Sequence, residues 1–236
     1  MRTLPLITLL ASLLVATPVL ADATPTPTAD AHLAAIQARG DTDITTRITS
    51  LNGLISDLNG AKRLTAAQKT SLIAEITAQI TQLTALKTKL DADTNVDTAQ
   101  TDFQTIFSQH YVYAFYLPRT ARLIAADREA DAAALMLGMT DKLQAYIARA
   151  QAQGSDVSAL NASLADLKAK AADAQGLAQT VIASLTPLTA AGYPANKTAV
   201  DGATASLKTG RSDLASAQTD AQSIISGLRK VLTDVQ

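Results

Sequence analysis

Toward the C-terminus, apolar residues return at alternating steps of three and four. The first series is Val157, Leu160, Leu164, Leu167, Ala171, Ala174, Ala178, Val181, Leu185 and Leu188; the second is Val200, Ala203, Leu207, Gly210, Leu214, Ala217, Ala221, Ile224, Leu228 and Val231. Steps of this kind keep every member on one helical face, so the pattern predicts two long helices packed along a seam. Folding one back on the other near Tyr193 sets Leu164 against Ala221, Leu167 against Ala217, Ala171 against Leu214, Ala174 against Gly210 and Ala178 against Leu207. Large faces small. That complementarity lets two backbones approach without voids and selects one register over its neighbours.

The same reading extends upstream. Ile44, Ile48, Leu51, Ile55 and Leu58 predict a helix from about Ala29 to Leu58, with Gly40 weakening its start, and Asn59-Gly60 end it. Thr65-Ala66-Ala67-Gln68 reads as a capping box for a second helix carrying Ile73, Ile76, Ile80, Leu83 and Leu90. An antiparallel hairpin over 30–92 follows. Asp97-Thr98-Ala99-Gln100 is a second capping-box candidate, opening a short helix with Phe103, Ile106 and Phe107. Pro118 suits the first turn of a long helix to Gln153, with Ala132, Met136, Met139, Leu143, Tyr146 and Ala150 on one face. Gly154 is placed to end it in a left-handed cap, Ser155 or Asp156 to cap the next, Pro187 to stop that one, and Gly192-Tyr193-Pro194 to turn into the last. The prediction is an all-α, elongated antiparallel helical bundle or coiled coil. It comprises the hairpin, a short helix with an aromatic connector over 93–117, and a three-helix bundle over 118–236.

The connector stands apart in composition. Six of the eight aromatic residues lie between Phe103 and Tyr116, and Tyr111, Tyr113, Phe115 and Tyr116 fall within six positions. One reading is a packing plug that covers the end of the bundle or continues a helix to Leu117. The other is a recognition patch, an extended segment that stacks on sugar rings or accepts a partner's edge. On the second reading, Tyr111, Tyr113, Phe115 and Tyr116 are the candidate partner-binding residues, and an envelope protein or a glycan is the partner class.

The start of the chain bears on compartment. Arg2, the apolar run Leu4 to Val15 and the small-residue site Val19-Leu20-Ala21 predict a signal peptide over 1–21 with a mature start at Asp22; an uncleaved anchor is the competing reading. Thr24-Pro25-Thr26-Pro27-Thr28 then reads as a stiff tether over 22–29, because each proline removes a donor and extends the preceding residue. The chain has no cysteine, which excludes disulfide frameworks and thiolate metal sites and leaves packing to supply stability. With 20 basic against 21 acidic residues, no charge excess draws it to nucleic acid.

Catalytic and metal constellations are not legible. His32 and His110 lie in different segments, outside any Glu-x-x-His spacing. Asp127, Glu129 and Asp131, near Arg119, Arg122 and Arg128, read as a solvated helix face with local ion pairs; a helix offers no loop carbonyls for calcium. No phosphate loop, nucleophile elbow or zinc-protease motif is present. No cofactor, metal site or catalytic residue is therefore assigned.

Several elements together carry a resemblance. They are Ile44-Thr45-Thr46-Arg47-Ile48, Leu64-Thr65-Ala66-Ala67, Asp91-Ala92-Asp93-Thr94, and Tyr111-Val112-Tyr113 with Leu117-Pro118 and Ala125-Ala126-Asp127-Arg128. In this succession the chain resembles a group of uncharacterised exported bacterial helical-bundle proteins with a Tyr-x-Val-Tyr-type aromatic connector. The arginine of that group's longer Tyr-Arg-Val-Tyr version is absent, His110-Tyr111-Val112-Tyr113 standing in its place. The resemblance implies a helical bundle and an exported location, and no activity. The expected role is a non-enzymatic scaffold or interaction module at the cell envelope, without a stable membrane span once the signal is removed, and with self-association open. The alternative is an exchangeable lipid- or amphiphile-binding bundle that opens to expose its apolar face.

Overall fold

The computed structural model describes residues 28–233; the expected signal peptide over 1–21 and most of the expected tether over 22–29 lie outside them. Among the described residues the chain is all-α, with six α-helices and no strand: α1 Ala29–Gly60, α2 Ala66–Asp91, α3 Val96–Ser108, α4 Leu117–Ala152, α5 Ser158–Leu185 and α6 Lys197–Thr233. At about 1.5 Å per residue, the 36 residues of α4 span roughly 54 Å. None of the described helices is long and apolar enough to cross a membrane.

Local chemistry explains most of the boundaries. Thr65 accepts from the Gln68 N–H at 3.2 Å, and the Gln68 side chain accepts from the Thr65 N–H at 2.8 Å, the reciprocal capping box expected there. The second candidate differs. Asn95 caps α3, its Oδ1 accepting from the Thr98 N–H at 2.9 Å, so Asp97 sits within the first turn where its charge meets the positive end of the helix dipole. Gly154, at φ +85°, closes α4: Ser155 N–H donates to Ala150 O at 3.2 Å and Gly154 N–H to Gln151 O at 2.9 Å, a Schellman arrangement. Threonine and serine on exposed faces largely donate to the carbonyl one turn back, as Thr46 does to Thr42 and Thr77 to Ile73, so they present little unsatisfied polarity to neighbours.

Helix α1 runs without a break through Gly40. A Cβ there would come within 2.1 Å of Leu90 Cδ2, so the glycine opens the space into which the end of α2 packs. The helical faces also turn relative to expectation. Arg47 and Leu54 are buried on α1 while Ile48 and Ile55 are only partly so, because α3 and the segment after it cover that flank. On α4 the buried face is Ala126, Ala130, Ala133, Thr140, Leu143, Ile147 and Ala150; Met139 and Tyr146 are exposed. Small residues set that face because they allow α5 and α6 the closest approach.

The α5–α6 seam follows the predicted series, with Val157 through Leu185 on α5 and Val200 through Leu228 on α6 buried except for a half-buried Leu214. The register agrees as well. A Cβ on Gly210 would lie 3.8 Å from Ala174 Cα, placing these two backbones side by side as the large-against-small pattern requires. Ala174→Leu is therefore expected to overpack this crossing and cost about 1–3 kcal/mol, checked by denaturant unfolding of the variant beside the parent.

The hairpin and the C-terminal helices share one core. Leu51, Leu58 and Leu64 from the hairpin, Phe115 and Leu123, and Val181 and Leu207 belong to a single buried cluster. A second cluster, with Leu143, Leu164, Leu167, Ala217 and Ile224, fills the far half of the three-helix bundle. A small third one, Ile36, Leu90 and Ala99, closes the other end. The hairpin tip thus overlaps the first third of α4 rather than meeting it only at a linker.

Candidate functional site

The aromatic connector is helical, not extended. Val112–Tyr116 form a single π-turn that passes directly into α4. Tyr111 O accepts from the Tyr116 N–H at 3.2 Å, and Val112 O from the Leu117 N–H, both five residues on. Pro118 accounts for this widening: it has no N–H to give Ala114 O, and its ring would strike that carbonyl in a regular turn.

The π-turn sends its aromatic rings in different directions. Phe115 and Tyr116 are 1% and 5% exposed and meet edge to face at 5.4 Å, so two of the four candidate residues are core. Tyr113 is 47% exposed and Tyr111 half-buried, the latter tilted against Tyr193 at 4.8 Å. The four therefore form no common exposed patch. Even Tyr113 has one face occupied: the buried Arg47 guanidinium sits 5.1 Å from its ring and 4.7 Å from Phe107. Arg39 lies over Phe103 at 5.3 Å, and Phe103 meets Phe107 at 5.4 Å, extending the line along α1 and α3. The eight-residue step from Arg39 to Arg47 and the four-residue step from Phe103 to Phe107 are the sequence signals for this line.

Beneath the connector lies a polar latch that periodicity did not reveal. Arg119, 1% exposed, holds Glu75 through two bonds, Nη1 to Oε1 at 3.0 Å and Nη2 to Oε2 at 2.8 Å. Its Nη1 also donates to Leu188 O at 2.5 Å, and its guanidinium lies 5.0 Å from the Phe115 ring. One side chain thereby ties α2, the start of α4 and the loop after α5 together. Burial, with a smaller push from the Glu75 charge against the pull of Arg119, drives the Tyr116 hydroxyl up to about 12, so it stays protonated throughout the physiological range. His110 is buried against Gln79, whose Nε2 meets its Nδ1; burial first and the Arg47 charge second hold its pKa down, so the ring is neutral at pH 7.

Next to the latch is a cleft of 390 Å³ whose polar and aromatic lining comes from Glu75, Gln79, Gln82, Gln109, Tyr111 and Tyr116. Arg119 matches the Glu75 charge; of the other lining groups Gln82 and Gln109 are exposed and Tyr111 half-buried, while Gln79 and Tyr116 are buried. Such a surface can stack on a flat or ring-shaped group and exchange hydrogen bonds with it.

The acidic group of α4 does not converge. Asp127 is 3% exposed and accepts three backbone N–H groups from the α1–α2 loop, Lys62 at 2.9 Å, Arg63 at 2.5 Å and Leu64 at 2.7 Å. Asp131 instead pairs with the side chains of Lys62 at 3.2 Å and Arg63 at 2.9 Å, and hydrogen bonds from Arg63 and then Lys62 hold its carboxyl below the usual range. Glu129 points elsewhere, toward Arg211 Nε at 2.8 Å. Arg122 bonds to Thr204 and to Pro118 O, so it and Arg119 serve other partners. No group of three or more potential ligands is placed to hold a metal ion among the described residues.

Glu129 carries a pH prediction. Burial raises its pKa despite the opposing hydrogen bond and charge of Arg211. A carboxyl raised in the folded state favours folding below its unfolded pKa, and that contribution is lost as pH climbs through the raised value. Glu129→Gln, which cannot ionise, is expected to melt above the parent at neutral pH, the gap closing on acidification. Thermal melts across a pH series check this.

No protein-family model, no curated protein and no solved structure matches the chain.

Proposed function

We propose that the chain is a non-enzymatic, exported helical scaffold or interaction module of the bacterial cell envelope, whose contact surface is the cleft beside Tyr111. The observation that supports this reading is the Arg119–Glu75 latch, which locks the hairpin across the three-helix bundle and holds that cleft in a fixed shape. A preorganised surface loses less entropy on binding, which is what a docking module needs. The uncharged amide and aromatic lining favours a glycan or a polar envelope protein over a nucleic acid or a charged cofactor.

The lipid-carrier reading asks the bundle to open. Opening would strip Arg119 from Glu75 and Asp127 from its three N–H groups, leaving buried charges without partners. The part of the seam formed by Ala171, Ala174, Ala178, Ala203, Ala217 and Ala221 would give little affinity for acyl chains.

The test has two arms. The full chain, expressed in a bacterial host, is expected outside the cytoplasm with Asp22 as its first residue, and it is expected to co-sediment with isolated envelope fractions. Tyr111→Ala and Gln82→Ala are expected to weaken that retention without changing helicity. Cytoplasmic accumulation or no retention would remove the reading, and co-flotation with phospholipid vesicles would replace it with the carrier.

A further inference from the structure

The far half of α4 carries an apolar stripe that none of the described residues covers. Leu135 is 65% exposed, Met139 39% and Tyr146 53%. Together with the exposed Lys142 they stand at steps of four, three and four, within about 60° of one another around the helix at 3.6 residues per turn. Monomeric surfaces scatter exposed apolar residues, whereas these three are aligned.

This stripe continues an interface already present. Over Ile124, Asp127 and Asp131 the same side of α4 is occupied by the hairpin tip, which ends at a 400 Å³ notch between Gly60, Ala61 and Leu135. Beyond that notch the surface runs bare for the remaining 17 residues to Ala152, about 25 Å.

We propose that this face is closed by a second copy of the chain, in an antiparallel α4–α4 contact about a two-fold axis between Thr140 and Asp141. The spacing four-three-four reads the same in both directions, so the stripe is complementary to its own reverse: Leu135 meets the second copy's Tyr146, and Met139 lies along the methylene stem of its Lys142. An isologous dimer needs a patch with that property. Gly138 and Ala145 lie on one flank of the stripe, and both are exposed. A Cβ on Gly138 would meet nothing within 4 Å, so this exposed helical glycine has no packing role within its own chain and leaves room for the second helix.

Sedimentation equilibrium of the full chain at micromolar concentration is expected to give twice the monomer mass. Leu135→Glu is expected to raise the dissociation constant about a hundredfold, because each substitution acts twice across the axis. Circular dichroism is expected to be unchanged, since the residue faces solvent in the monomer. The chain's lack of cysteine makes register testable directly. On oxidation, the double variant Leu135→Cys, Tyr146→Cys is expected to form a covalent dimer, and Leu135→Cys alone is not. A monomer at every concentration, a dimer indifferent to Leu135→Glu, or efficient cross-linking of Leu135→Cys alone would each overturn the proposal. The last outcome would mean a parallel arrangement.

Discussion

Arg119→Ala is expected to destabilise the chain by about 3–5 kcal/mol, the range for removing one partner of a buried ion pair. The change removes three hydrogen bonds and leaves Glu75, only 26% exposed at its side chain, beside the apolar faces of Phe115 and Tyr116. It also leaves Leu188 O without its donor and a space under the Phe115 ring. Conservative replacement is not conservative here. Arg119→Lys keeps a charge but offers a single donor centre where the planar guanidinium spans both Glu75 oxygens, so most of the loss is expected to remain. The control is the double variant Arg119→Met, Glu75→Leu, which deletes both charges and keeps apolar volume; it is expected to recover most of the stability and leave a well-folded chain. Urea unfolding of the three variants beside the parent gives the comparison. Equal losses for the single and double variants would mean that packing around Arg119, and not charge pairing, carries its contribution.

Asp127→Ala is expected to cost about 3–5 kcal/mol by a different route, since each buried donor left without an acceptor costs about 1–3 kcal/mol. Three consecutive N–H groups of the α1–α2 loop converge on this one carboxylate. No secondary structure of the loop can replace it, and Lys62 and Arg63 would keep only their side-chain pairs with Asp131, which are largely solvated and weak. Asp127→Asn is expected to lose about 2 kcal/mol, because an amide keeps one accepting oxygen but turns N–H groups toward N–H groups. Amide hydrogen exchange reads the effect where it arises: faster exchange at Lys62, Arg63 and Leu64 before any change in α5 or α6 is the expected signature.

Both effects sit where the sequence read a solvated helix face with local ion pairs, whereas Arg119 and Asp127 are buried against distant partners, and the reason is physical. Helices, caps and seam registers are written locally, in steps of three and four, in Thr65 with Gln68, in Gly154 after Gln153. The α5–α6 pairing was legible down to Ala174 against Gly210 because volume complementarity repeats at every turn. Arg119 and Glu75 are 44 residues apart, and Asp127 and Leu64 are 63 apart; each pair occurs once, so no period announces it. The connector kept two readings open for a related reason: no period marks a turn with five-residue hydrogen bonds, which sends neighbours such as Tyr113 and Tyr116 to opposite environments. On α4, apolar residues occupy two adjacent faces, and nothing local says which of Met139 and Ile147 goes inward. The buried alanines on the same helix decide it.

The latches share one end. Arg119, Asp127 and the loop they hold lie at the hairpin side of the three-helix bundle, whereas the opposite end, around Leu143, Leu164 and Ile224, packs through an apolar cluster, with the Lys170–Asp213 ion pair partway along. The rod therefore has a grain. Under load or heat its distal tip, with the Gly154 turn, frays like rope ends beyond a knot, while the riveted end keeps the two arms of the molecule at a constant angle.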